Sequence, residues 1–189
     1  VSDLVAIVDL GSTAVRFLLA QIRPRTGFRV LAQERVPTRL GGGAPGTLPR
    51  PAVDRTLRAV HRFFSRHAPE SRSARVVAIA TSAVRDAQNR ERLLDPLRRN
   101  EGIEVQVLSA RDEARFGVMA ALDSLPFVKG MVLDLGGSSL QLSRIRHRRV
   151  ISTASLPLGA VRTTRRFFRH DPPTPQELRV LRTEIRARL

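Results

Sequence analysis

VAIVDLGSTAVRF, residues 5–17, and GMVLDLGGSSLQL, residues 130–142, each run from apolar residues into Asp-Leu-Gly and then into small polar residues. A turn of glycine and small hydroxyl residues leaves backbone N–H groups pointing outward, where they can cradle phosphate oxygens. The aspartate that precedes such a turn can hold a metal ion or a water. The first turn offers Asp9, Gly11, Ser12 and Thr13; the second offers Asp134, Gly136, Gly137, Ser138 and Ser139. At an offset of 125 residues, Asp9 falls on Asp134, Gly11 on Gly136 and Thr13 on Ser138. Two facing copies would clamp a phosphate chain between two lobes. Two ordinary hairpin turns can share three residues by chance, so the elements after each turn decide.

Those elements repeat. LVAIVDL (4–10) is a continuous apolar run with β-branched residues and reads as a buried strand. The short turn returns AVRFLLAQI (14–22) antiparallel, and FRVLAQERV (28–36) makes a third strand after RPRTG. A Gly/Pro-rich loop, GGGAPGTLPRP (41–51), leads into a helix with Val53, Leu57, Val60 and Phe64 at helical spacing. RVVAIAT (75–81) is a strand, SAVRDAQNRERLLDPLRR a helix, IEVQVLS (103–109) a strand and ARDEARFGVMAALDSL (110–125) a helix. This β-β-β-α-β-α-β-α order is a complete α/β layer. It restarts with MVLDLGG, SLQLSRIR, a turn at HRR and VISTASLPL, then helices over about 160–169 and 174–189. The duplication implies two lobes built alike, 1–127 and 128–189, the second without its last two β-α units.

Composition narrows the partners. The chain has 189 residues, 33 Lys+Arg against 17 Asp+Glu and a net charge of +16, which favours a polyanion. A GC-rich coding sequence accounts for arginine in place of lysine but not for the excess of positive charge. Aromatic content is 4%, all Phe, too sparse for base-stacking platforms, so nucleic acid is not the expected partner. No run approaches the about 18 apolar residues of a membrane span, and no signal peptide is expected. Cysteine is absent, which fits a cytoplasmic protein.

DLGSTAVRF, RLGGG, ATSAVRDAQN, ARDEARFG, DLGGSSLQL and SLPLGAVR, in this order, resemble the exopolyphosphatase and guanosine pentaphosphate phosphohydrolase family, within the actin, sugar kinase and Hsp70 superfamily. The resemblance runs from about residue 4 to 189. It implies an α/β fold of two ribonuclease-H-like lobes (the actin-like ATPase fold), the second incomplete here. It also implies release of terminal phosphate in a cleft between the lobes, with magnesium. The substrate would be inorganic polyphosphate or guanosine pentaphosphate. By the same resemblance Glu113, in E-A-R, positions and deprotonates the attacking water. Arg85 binds phosphate, Asn89 and Arg39 are polar positions near the same cleft, and Asp134 opens the second phosphate loop. Glu113 also stands where a helix macrodipole favours a negative charge.

The chain departs from the family pattern at Thr13 in the first turn, and in the second at Ser138 for glycine, Leu140 for threonine and Gln141 for glutamate. Losing a carboxylate at 141 implies weak magnesium binding, and leaves open a phosphate-binding sensor of reduced activity. Alternation along SSLQL puts Ser139 and Gln141 on one face, expected toward the cleft, and Leu140 and Leu142 on the other, expected toward the core. A shortened second lobe exposes a sheet edge and an apolar face. A second copy in a homodimer, the arm 174–189, or poor order over 130–189 would follow.

Overall fold

The structure, a computed structural model, describes residues 3–189; Val1 and Ser2, the first two of the lobe expected over 1–127, lie outside the described residues. The chain divides into two compact units, Val1–Leu108 and Ser109–Leu189. The expected boundary lay at 127. It falls earlier because the helix at 110–124 packs on the second sheet.

In the first unit, strands β1 (Leu4–Leu10), β2 (Ala14–Arg23), β3 (Gly27–Pro37), β4 (Arg75–Ala80) and β5 (Val105–Val107) form one sheet in the order β3-β2-β1-β4-β5. The first three are antiparallel; β4 runs parallel to β1, and β5 parallel to β4. Short turns allow the antiparallel pairs, whereas parallel pairs need crossovers. Helices α1 (Arg50–Arg66) and α2 (Ala68–Ser73) make one crossover; α3 (Ser82–Arg85) and α4 (Glu91–Glu101) make the other. Helix α1 starts with Pro51 in its first turn, where the missing N–H is harmless. Its buried stripe of Val53, Thr56, Val60 and Phe63 meets the sheet, with Phe63 stacked on Phe17 at a 5.0 Å centroid distance. Ala6, Val8, Leu10, Val15, Phe17 and Leu19 share one face and join this core.

The single helix expected over 82–99 is two helices. Residues 86–90 break it because they are tied to the Gly/Pro loop: Gln88 N–H donates to Gly46 O at 2.8 Å, and the Asn89 side chain holds Leu48.

The second unit has three antiparallel strands, β6 (Gly130–Leu135), β7 (Leu140–Arg146) and β8 (Arg149–Leu156), in the order β6-β7-β8. Helix α5 (Ala110–Ser124) packs against all three. Ser109 caps it, its hydroxyl accepting the Asp112 N–H at 3.1 Å. The β7–β8 turn puts His147 and Arg148 at positive φ, and the Arg148 guanidinium donates to the carbonyls of Leu122 and Phe127, pinning the end of α5.

Helices α6 (Ala160–Phe167) and α7 (Pro175–Arg188) pack on each other, and neither buries a residue. The arm 174–189 therefore does not cover the open sheet face. Met131, Leu133 and Leu135 are 59%, 63% and 61% exposed, whereas their counterparts Ala6, Val8 and Leu10 are 0%, 1% and 0% exposed. Among the described residues no helix is long and apolar enough to cross a membrane.

A capping box starts α7: the Thr174 hydroxyl accepts the Glu177 N–H, and the Glu177 carboxylate accepts the Thr174 N–H at 2.8 Å. The Thr174 N–H is the main reason, and the Arg169 N–H the next, that the Glu177 carboxyl titrates at about 2 instead of 4.5. A lowered folded value stabilises the helix start fully above the ordinary pKa, and protonation removes that support as pH falls from about 4.5 toward about 2. The expected result is a Thr174 amide resonance that moves with a midpoint near pH 2, with no change between pH 6 and 8. A Thr174 amide shift that stays flat through acid would refute the capping role.

Candidate functional site

The two Asp-Leu-Gly turns have the same construction. Gly11 N–H donates to Ala14 O at 3.1 Å and Gly136 N–H to Ser139 O at 2.9 Å, each closing a two-residue loop. A Cβ at Gly11 would come within 2.9 Å of Ala14 O, and one at Gly136 within 3.3 Å of Ser139 O, so both positions need the close approach that glycine allows. The flanking register repeats as well: Asp9 lies opposite Arg16, and Asp134 opposite Gln141.

The chain that follows each third strand returns to buttress the turn. In the first unit Gly41 N–H donates to Ser12 O at 2.8 Å, while Thr38 and Arg39 N–H groups converge on Thr13 O at 3.1 and 2.9 Å. Arg39 reaches this position in the left-handed region at φ 58°, with its side chain exposed. In the second unit Ala160 N–H donates to Gly136 O at 2.9 Å and Arg162 N–H to Gly137 O at 3.0 Å. Gly159 sits directly on the Ser138–Ser139 peptide.

Around the first turn, the parallel strands end together. Thr81 N–H donates to Leu10 O and Leu108 N–H to Ala80 O at 2.9 Å. The carboxyl ends of parallel strands in open α/β sheets are where ligands bind. Ser12 and Ser82 hydroxyls lie 3.4 Å apart, both buried. Arg85 donates to Leu108 O at 2.8 Å, so it also ties α3 to the end of β5. The Thr38 hydroxyl, behind Thr13, is fully buried and has no hydrogen-bond partner.

Asn89, expected as a polar position near the cleft, is engaged with the backbone of the 41–51 loop. Its Oδ1 accepts Leu48 N–H at 2.8 Å and its Nδ2 donates to Leu48 O at 3.0 Å, so its amide clamps the 41–51 loop. Asn89→Ala leaves a part-buried backbone pair without partners, and should lower stability by about 1–3 kcal/mol. Faster amide exchange at Leu48 reads the effect; wild-type protection there would refute it.

Of the carboxylates, Asp9 is neutralised by Arg16, Nη1 to Oδ2 at 3.0 Å. The hairpin places these two residues symmetrically about the turn, a signal present in the sequence that the motif reading passed over. Asp134 instead faces Gln141, and its Oδ2 lies beside Gly117 on α5. Glu113 is half-buried in the first turn of the same helix, four residues before Gly117. Among the described residues no group of three or more His, Cys, Asp or Glu is arranged to hold a metal. Magnesium commonly uses one or two carboxylates and takes its other ligands from substrate phosphates and water. Asp134 fits that donor set; Asp9, already engaged by Arg16, fits it less well.

Gln141 does not face an open cleft. It is 2% exposed, shares its face with Ser143 and Ile145, and donates Nε2–H to Ser139 Oγ at 2.8 Å. Leu140 and Leu142, expected in the core, are only partly buried. A glutamate at 141 would bury a charge, so it is not the simple gain of a metal ligand that the sequence suggested.

Residues 18–189 match the family model described as the Ppx/GppA phosphatase family. Exopolyphosphatase 1 of Mycobacterium tuberculosis is 31% identical over 187 residues, covering 97% of this chain and 54% of that protein. The crystal structure of the Aquifex aeolicus Ppx/GppA family member matches at TM-score 0.73 and 32% identity, over 93% of this chain and 58% of that one. An exopolyphosphatase structure from Cytophaga hutchinsonii matches at TM-score 0.82 and 25% identity, over 92% and 56%. The chain thus spans about half the length of the curated relatives it matches first. The fold is the α/β actin-like ATPase fold: the first unit carries a five-stranded ribonuclease-H-like sheet, and the second carries that sheet's antiparallel half. By matching motifs, register and sequence over nearly its whole length, the chain belongs to the Ppx/GppA phosphatase family.

Proposed function

We propose that this chain carries the catalytic residues of a hydrolase that releases terminal phosphate from inorganic polyphosphate. The observation that carries the reading is the duplicated turn, closed by the same hydrogen bond in both units and buttressed from behind. Its rigid N–H groups suit phosphate oxygens. Phosphoryl transfer asks for positioning and charge stabilisation more than covalent work. The turns at Gly11–Thr13 and Gly136–Ser139 supply the positioning; Arg39 and Arg85 supply positive charge through guanidinium forks suited to phosphate. Glu113 accepts the proton of the attacking water. Asp134 would hold magnesium, which when bound neutralises charge on the phosphoryl oxygens. Guanosine pentaphosphate is the second candidate, since it ends in the same anhydride chemistry. A cytoplasmic setting accords with the lack of cysteine.

The test is phosphate release from polyphosphate in magnesium, repeated after chelation and with guanosine pentaphosphate. Turnover of about 1 to 10³ per second, lost on chelation, is expected. Tight polyphosphate binding without any release would sink the hydrolase reading.

A further inference from the structure

Helix α5 has a glycine in its interior, Gly117, eighth of fifteen residues. Glycine there destabilises a helix relative to alanine. Its φ lies outside the left-handed region, so backbone freedom does not explain it. What does is a neighbour: a Cβ built at 117 would lie 3.3 Å from Asp134 Oδ2, closer than ordinary van der Waals contact. Among the described residues, outside the helix backbone and chain neighbours, that oxygen is the one atom such a Cβ would meet within 4 Å. Glu113 precedes Gly117 by four residues, on the same helix face. The Asp134 carboxylate therefore lies against α5 at a position about one helical turn after Glu113.

We infer that Gly117 is a positioning residue: the space left by its missing side chain seats the Asp134 carboxylate on α5, one turn from Glu113. This rests on the reading of Asp134 as the magnesium carboxylate. Gly117→Ala should push the carboxylate away by a few tenths of an ångström. Metal sites lose about 10- to 100-fold in affinity or activity when the groups that orient a ligand are disturbed.

The experiment uses Mn²⁺ as the probe, titrated by calorimetry into the whole protein, with melting temperature measured alongside. Gly117→Ala should weaken Mn²⁺ about tenfold while melting at or above the wild-type temperature, since helix propensity improves. Combined with Asp134→Asn it should add no further loss, because the two residues act through one contact. Should Gly117→Ala instead lower the melting temperature, Asp134→Ala in the same chain must restore it by clearing the space. Unchanged Mn²⁺ affinity in Gly117→Ala, additive losses, failure of that rescue, or a wild type that binds no Mn²⁺ would overturn the inference. A wild type that binds Mn²⁺ as described but releases no phosphate overturns the hydrolase reading alone.

Discussion

Glu113→Gln lowers phosphate release from polyphosphate by about 10²- to 10⁴-fold, the range for a positioned acid–base group, and leaves polyphosphate affinity close to wild type. The separation of these two readouts follows from the proposed roles. On the proposed reading turn amides and arginines hold the phosphate, while Glu113 stands on a different element, the first turn of α5. Glutamine keeps the size and the polar reach but cannot take a proton from water. The helix start loses one favourable charge, worth about 0.3–1 kcal/mol at a surface N-terminus, and Asp112 remains in the same turn. The melting temperature, measured alongside, confirms that the variant is folded. A folded Glu113→Gln protein with near-wild-type release would remove Glu113 from the reaction.

Gly159→Ala should be the most disruptive single methyl group in the second unit. Its Cβ would overlap the Ser138 carbonyl carbon and the nitrogens of Ser138 and Ser139, all backbone atoms. No rotamer change relieves such a clash; the 136–139 turn or the start of α6 must move. Overpacking of this kind costs about 1–3 kcal/mol where side chains can yield, and more where backbone meets backbone. The expected result is a loss of about 3 kcal/mol or more, with weakened phosphate binding. Gly42→Ala is the control, because its Cβ would meet only Arg39 Cβ, at 3.7 Å, an ordinary contact. Equal melting temperatures for the Gly159 and Gly42 variants would contradict this packing of Gly159 on the 138–139 peptide.

The hairpins were readable from the chain because their signals are local. A short Gly-containing turn fixes register, so strands, turns and the pairing of Asp134 with Gln141 follow from neighbours in sequence. The break at 86–90 was not, since its cause is the Asn89 amide engaging Leu48, 41 residues away. The burial of Gln141 misled for a related reason. Alternation along β7 sorts its residues correctly into two faces, but does not say which face receives a helix. Helix α5 covers the face of Asp134, Gln141 and Ser143, and the leucine face stays open. Apolarity alone points the other way. Glu113, Arg85 and Asp134 are candidates by motif resemblance, whereas Gly117 and Gly159 lie in the same motifs without a role that the resemblance implies. Their importance lies in the atom a Cβ would meet, which no spacing rule reports.

The buttressing of both turns has a thermodynamic consequence. Each cradle is held by its own closing hydrogen bond and by donors from the chain beyond the third strand, so its shape is set when the protein folds. On the proposed reading, a phosphate chain arriving there would order little backbone and bury little apolar surface. Its association should thus show a small heat-capacity change, unlike ligands whose sites fold around them. The electrostatic part should dominate instead, so that affinity falls along a straight line in log–log plots against salt concentration.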